Sequence, residues 1–207
     1  MTKKIPLLID TDPGVDDALA LLMAFNDPHH QLVGLTIAAG NVGLEHTVRN
    51  ALKLCEIAGR DEVPVYAGCA DPLLHPAVDA AHVHGRDGFG DIGFAPSPRA
   101  AEAEHAALAI LRLSHEYAGE LRLVALGPLT NIALALKLDS TLPTRIKRFV
   151  VMGGAVSAHG NITAAAEFNI AFDPEAAHIV FQGFPHLDLA DWEAVMAHGF
   201  LHARAEQ

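Results

Sequence analysis

Residues 7–17, LLIDTDPGVDD, constrain this chain more than any other stretch. An unbroken apolar run, residues 5–9, leads into four aspartates, Asp10, Asp12, Asp16 and Asp17. Like charges this close repel, and the remedies are a bound cation, hydrogen bonds or protonation of one member. Pro13 fixes its own φ and Gly14 relaxes the backbone, so the chain must turn between the aspartates. A helical pattern, Ala18 to Met23, starts directly afterwards. Strand, acidic turn and helix in succession mark the usual ligand position of an open α/β sheet. Helix capping accounts for one or two aspartates in a first turn. Four point to a metal or a polar ligand.

The rest of the chain repeats the alternation. Apolar strands are expected at residues 5–9, 32–39, 63–67, 121–126 and 148–152, the unbroken runs among them reading as buried on both faces. Helices are expected at 16–26, 44–58, 100–117, from Thr130 onward, and at 174–182, the last with Asp173 as N-cap and Pro174 at its first position. This order predicts an α/β fold, a doubly wound, mostly parallel sheet with helices on both faces. Residues 68–99 break the pattern. Pro72, Pro76, Pro96 and Pro98, with Gly85, Gly88, Gly90 and Gly93, leave little room for regular structure, and a loop of this length is usually functional.

Composition narrows the partners. The net charge of −11 over 207 residues argues against a nucleic-acid backbone and suits a cation or a neutral small molecule. The basic start, MTKKIPLLID, has an apolar run too short for a leader peptide or a membrane span, which makes a cytoplasmic location the expectation. Cys55 and Cys69 have no metal-type spacing, and Cys55 falls on the apolar face of its helix.

Polar residues stand at the ends of several strands: the aspartates, Asn41, Thr130 with Asn131, and Met152 with Gly153 and Gly154. In a parallel sheet these ends share one edge, so residues distant in sequence meet there. Asn161, Glu167 and Asn169 follow; the last two lie on one side of the chain if their segment is extended. Carboxylates and amides converging in this way suit a small polyol or sugar and a metal-dependent enzyme. Asp10-Thr11-Asp12 after a strand also admits a phosphatase with an aspartate nucleophile, which leaves Asp16, Asp17 and Glu167 without a role.

DTDPGVDDA at Asp10–Ala18 resembles the signature of the inosine-uridine nucleoside hydrolases. Ala39-Gly40-Asn41, His84-Gly85, Leu126 to Asn131 (LGPLTN), Val151 to Gly154 (VMGG) and Ala166 to Ile170 (AEFNI) match in type and order. The resemblance implies hydrolysis of ribonucleosides to ribose and free base in purine and pyrimidine salvage. It implies a Ca²⁺ ion held by Asp12, Asp17 and the Thr130 carbonyl, hard oxygen ligands of the kind calcium takes. Asp12 would take the proton of the calcium-bound water. Asp16 would hold the ribose 2′-hydroxyl, Asn41, Asn161, Glu167 and Asn169 the other hydroxyls, and Met152 would pack near the sugar. His82 and His84 would lie in a loop over the site, His82 facing the base. The family also implies a homo-oligomer, dimer or tetramer.

The resemblance covers about residues 5–185 of a nucleoside hydrolase-like domain expected at 1–185, and residues 186–207 read as a divergent tail with a short helix around Trp192, Val195 and Met196. The family continues instead with a buried strand bearing a further calcium ligand, then a His–Asp pair or equivalent groups that help the base depart. The expectation is therefore a chain truncated or frameshifted after about Pro185, of impaired activity or reduced to weak ribose or calcium binding. Asp188 is the one candidate to replace the lost ligand.

Overall fold

The computed structural model describes residues 3–157 and 159–198. Its centre is a six-stranded sheet in which each neighbouring pair of strands runs parallel. The strands are β1 (Ile5–Thr11), β2 (His30–Ile37), β3 (Val65–Ala67), β4 (Arg122–Ala125), β5 (Arg148–Met152) and β6 (Asp188–Ala190), in spatial order β3-β2-β1-β4-β5-β6. The helices are α1 (Val15–Asn26), α2 (Leu44–Ala58), the single turn α3 (Ala81–His84), α4 (Ala106–Glu116), α5 (Thr130–Leu138), α6 (Phe168–Phe172), α7 (Pro174–Gly183) and α8 (Trp192–Ala197).

β1 shows why the sheet is covered on both sides. Its alternate residues enter two separate cores, because successive side chains of a strand point to opposite faces. Leu7 and Ile9 join Leu21 and Phe25 of α1 and Ala51, Leu52 and Cys55 of α2. Leu8 joins Ile110 and Leu113 of α4, Ile132 and Leu136 of α5, and Val180 of α7. Cys55 is accordingly a buried core residue, as its helical face predicts. Strand order reverses direction between β1 and β4, which opens the crevice where a doubly wound sheet takes its ligand. The acidic turn stands at the β1 side of that crevice.

Four local expectations need correction. The helix expected from residue 100 starts at Ala106, because Glu102 bridges to Tyr66 and donates its N–H to Val65, while the His105 ring caps the helix through Ala107 N. The second strand ends at Ile37 rather than residue 39: Ala38 N still donates to Thr11 O at the end of β1, but Ala39 N turns out of the sheet to Cys69 O. Residues 167–169 are not extended: Glu167 is the N-cap of α6, with its side chain accepting from Asn169 N and Ile170 N. The tail is also more than a short helix. β6 pairs with β5 from Val150↔Asp188 to Met152↔Ala190, so a strand exists where the sequence suggested none.

No helix among the described residues is long and apolar enough to cross a membrane.

Candidate functional site

The turn after β1 is held by its own side chains. Thr11 Oγ1 donates to Asp17 Oδ1 at 2.6 Å, and Gly14 N donates to Asp17 Oδ2 at 3.0 Å. Asn41, in the loop after β2, ties the turn to the neighbouring strand. Its N–H donates to Asp12 Oδ2 (2.7 Å), and its Nδ2 donates to the Asp12 carbonyl (3.0 Å) and to Asp17 Oδ2 (2.9 Å).

Asp12 sits in a cradle that only glycine leaves open. A Cβ on Gly40 would overlap Asp12 Oδ2, and a Cβ on Gly127 would overlap Oδ1. Asp12 Oδ1 is buried and has no hydrogen-bond partner among the described residues. Burial, then the nearby Asp17 charge, push the Asp12 carboxyl well above the usual range. Asp17 rises to about 6, through burial and then Asp16. A buried, unpaired carboxylate oxygen beside a second carboxylate is costly unless a proton or a cation answers it.

Asp10 has a different position from the one a nucleophile requires. It is 0% exposed, and its Oδ2 accepts from Thr36 Oγ1 (2.6 Å) and Asn131 Nδ2 (3.0 Å). It fastens β1 to β2 and to α5, and lies beneath the acidic turn. Burial raises it to about 7. Asp10 buried and tied up in this way is not presented to a ligand, which speaks against the phosphatase alternative.

Above the turn opens a cavity of ≈ 570 Å³. Asp16, Asp17, Asn41, His82, Met152, Asn161, Glu167 and Asn169 all line it, so the fold gathers these expected site residues from five separate segments. Asp12 and Thr130 lie beneath this lining, each 1% exposed. Glu167 accepts from Gly154 N (2.8 Å) through Oε2 and from Asn169 N (2.9 Å) through Oε1, so its orientation is fixed by backbone. Burial raises its carboxyl. Asn169 donates through Nδ2 to Leu126 O (2.8 Å), and Asn161 accepts from Phe168 N through Oδ1 (2.8 Å). Among the described residues those bonds leave the Asn169 side-chain carbonyl and the Asn161 side-chain NH2 without protein partners, one an acceptor and one a donor for hydroxyl groups.

The loop of residues 68–99 reaches the site through α3. His84 Nδ1 accepts from Val15 N at 3.3 Å and stands 3.8 Å from Asp16 Oδ1. Burial lowers the His84 pKa, which favours the neutral ring that this acceptor role needs. Asp16 itself keeps 80% of its side chain exposed, at the mouth of the cavity.

Trp192 was missed as a site residue. It heads α8 and lines the cavity opposite the acidic turn, with its N–H donated to Gly154 O at 2.8 Å. Glu193 takes the N–H groups of Val156 (3.3 Å) and Ser157 (2.9 Å), so the tail braces the loop after β5. The tail's own periodicity shows only a short amphipathic helix, and no signal in it points to a pocket. Asp188 goes elsewhere. It accepts from Arg148 Nε at 2.6 Å and lines a separate cavity of ≈ 620 Å³ with Phe149, Phe184 and Pro185.

Among the described residues no group of three or more His, Cys, Asp or Glu side chains converges as a metal cluster. The buried carboxylates of the turn, Asp12 and Asp17, with Asp12 Oδ1 unpartnered among the described residues, are hard oxygen donors of the kind a calcium-like cation takes.

A doubly wound parallel sheet with a carboxylate- and amide-lined cavity at its switch point defines an α/β protein with a polar pocket at the usual ligand position of its class. Comparison with known proteins makes the class specific. The profile of the family described as "Inosine-uridine preferring nucleoside hydrolase" matches residues 7–207. The chain is 49% identical over 177 residues to "Uridine nucleosidase 1" of Arabidopsis thaliana, covering 84% of this chain and 52% of that protein. It is 44% identical to the "Inosine-uridine preferring nucleoside hydrolase" of Crithidia fasciculata, covering 87% and 57%. The solved structure of a plant nucleoside hydrolase superposes with a TM-score of 0.89 at 37% identity, covering 92% of this chain and 61% of that one. A purine-preferring ribonucleoside hydrolase from Gardnerella vaginalis gives 0.83 at 41% identity, covering 86% and 58%. The chain belongs to the inosine-uridine preferring nucleoside hydrolase family. It spans little more than half the length of the curated relatives it matches.

Proposed function

We propose that this chain binds ribonucleosides in the cavity above the acidic turn and hydrolyses their N-glycosidic bond to ribose and free base. The observation that carries the reading is Asp12 Oδ1, buried and unpartnered beneath a cavity lined by Asp16, Asn41, Glu167 and Asn169. The relatives' names, uridine nucleosidase and inosine-uridine preferring hydrolase, support the substrate class.

Hydrolysis breaks the C1′–N bond, forms a C1′–O bond to water, and leaves one water proton on the new hydroxyl and one on the base nitrogen. In this reading Asp12, Asp17 and the Thr130 carbonyl would hold calcium, which would supply positive charge that makes water more acidic. Asp12 Oδ1 is the atom that takes the proton. Asp16 receives the 2′-hydroxyl at the cavity mouth. Asn41, Asn161, Glu167 and Asn169 orient the remaining hydroxyls, and Met152 packs against the sugar. Positive charge developing on the ribose is stabilised by the fixed carboxylates around it. His82 and Trp192 border the space left for the base. A cytoplasmic role in nucleoside salvage and a dimeric or tetrameric state belong to the same reading; light scattering tests the latter.

A second reading is weak ribose and calcium binding without turnover, for which the cavity lining of Asp16, Asn41, Glu167 and Asn169 is enough. Ribose release from inosine and from uridine, measured with and without EDTA, separates the two. Turnover abolished by EDTA, and cut about 10²–10⁴-fold in Asp12→Asn, is the expected result. No ribose from either substrate at high protein concentration would falsify the catalytic reading and leave the binding one.

A further inference from the structure

Asp173 satisfies more donors than its helix requires. It is 0% exposed, and Asp173 Oδ1 caps α7 by accepting from Ala176 N at 2.9 Å. Its second oxygen has no part in that cap. Oδ2 accepts from Thr130 Oγ1 at 2.7 Å and from Leu73 N at 3.0 Å, reaching the first residue of α5 and the proline- and glycine-rich loop at once.

The first turn of α5 depends on such outside support. Its N-cap is Leu129, which makes no side-chain cap bond. An apolar residue there leaves the orientation of the turn to whatever else grips it. Asn131, the next residue, is gripped from the opposite side: Nδ2 donates to Asp10 and Oδ1 accepts from Cys69 N at 2.8 Å. Gly68 lies directly on the Asn131 side chain, with no room for a Cβ. Two buried aspartates therefore clamp Thr130 and Asn131, and both clamps include the start of the 68–99 loop.

We propose that Asp173 is a positioning residue: through the Thr130 hydroxyl it sets the orientation of the Thr130 carbonyl, and through Leu73 it ties the loop to the same point. The inference rests on the proposed role of that carbonyl toward calcium. Partners that orient a metal ligand typically matter about 10–100-fold in affinity.

The test uses the full chain titrated calorimetrically with calcium chloride alone, with circular dichroism and thermal unfolding as controls. Thr130→Val keeps the carbonyl and the side-chain shape but removes the hydroxyl. Thr130→Ser restores it. Asp173→Asn keeps an N-cap acceptor for Ala176 while setting an amide against Leu73 N. Calcium affinity is expected to fall about 10-fold or more in Thr130→Val and Asp173→Asn, and to stay within about 2-fold in Thr130→Ser. Unchanged affinity in either damaging variant overturns the proposal, as does a Thr130→Ser as weak as Thr130→Val. If Thr130→Val does not fold, Asp173→Asn decides; loss of the fold in both shows a general structural role and overturns it too. A wild-type chain that takes no calcium removes the metal reading itself, a result distinct from an unaltered variant.

Discussion

Replacing Asp10 by Asn isolates the energetic consequence of burying one carboxyl beneath the acidic turn. Both hydrogen bonds to Asp10 end on the same oxygen, Oδ2, while Oδ1 has no partner among the described residues. The Asn carbonyl can therefore take the place of Oδ2 and keep Thr36 and Asn131, with its amide where Oδ1 stood. That unpartnered amide carries a cost of about 1–3 kcal/mol, the same at every pH. The pH-dependent part belongs to the wild type. Burial moves Asp10 from the ordinary 3.8 to about 7, so the folded chain holds a proton that the unfolded chain releases. Stability from this group is fully present below pH 3.8 and is lost as pH rises through about 7. At about 1.4 kcal/mol per tenfold change in proton affinity the full loss is about 4 kcal/mol, of which about 2.5 falls between pH 5 and pH 8. Urea unfolding of both chains at pH 5, 6, 7 and 8, with EDTA to remove metal linkage, measures it. The variant should gain on the wild type by about 2.5 kcal/mol between pH 5 and pH 8. Curves that stay parallel within about 0.5 kcal/mol would show that Asp10 is not held protonated, and the account of its burial would be wrong.

Three further outcomes are expected. Gly127→Ala forces a methyl against Asp12 Oδ1, so it should cost about 1–3 kcal/mol in stability and sharply weaken calcium binding; an unaltered titration would contradict the cradle. Asp12 and Asp17 both have raised proton affinity, Asp17 to about 6, so calcium must displace protons there. Its affinity should increase from pH 5.5 to 7.5, with proton release visible as a buffer-dependent heat; affinity flat across that range would argue against carboxylate ligation. Asp188→Ala breaks an ion pair whose two side chains are each 58% exposed, so stability should change by less than about 1 kcal/mol and calcium affinity not at all.

The sequence made the acidic turn readable because its residues act locally: Pro13 and Gly14 force the bend, and α1 follows at once. Asn41 and Glu167 were identifiable as polar groups at the correct sheet edge, since parallel strands bring their carboxyl ends together. How they are held was not readable. Glu167 caps a five-residue helix and bonds Gly154, thirteen positions away, and neither contact leaves a periodic trace. β6 escaped for the same reason. Asp188-Leu189-Ala190 is too short and too polar for a strand signature, and its place is fixed by the ladder that β5 offers. Trp192 followed β6 out of view, because its position in the cavity depends on that ladder.

The bracing of residues 186–198 gives ligand occupancy a mechanical reach. One short segment extends the sheet, supports the loop over Val156 and Ser157, and forms a wall of the cavity. A molecule filling that cavity contacts the same segment whose local opening would dismantle the wall, so binding and closure are thermodynamically linked. Protease cuts after Pro185 should therefore slow when the cavity is filled, and a fusion or affinity handle joined at that junction would register as a change in ligand affinity.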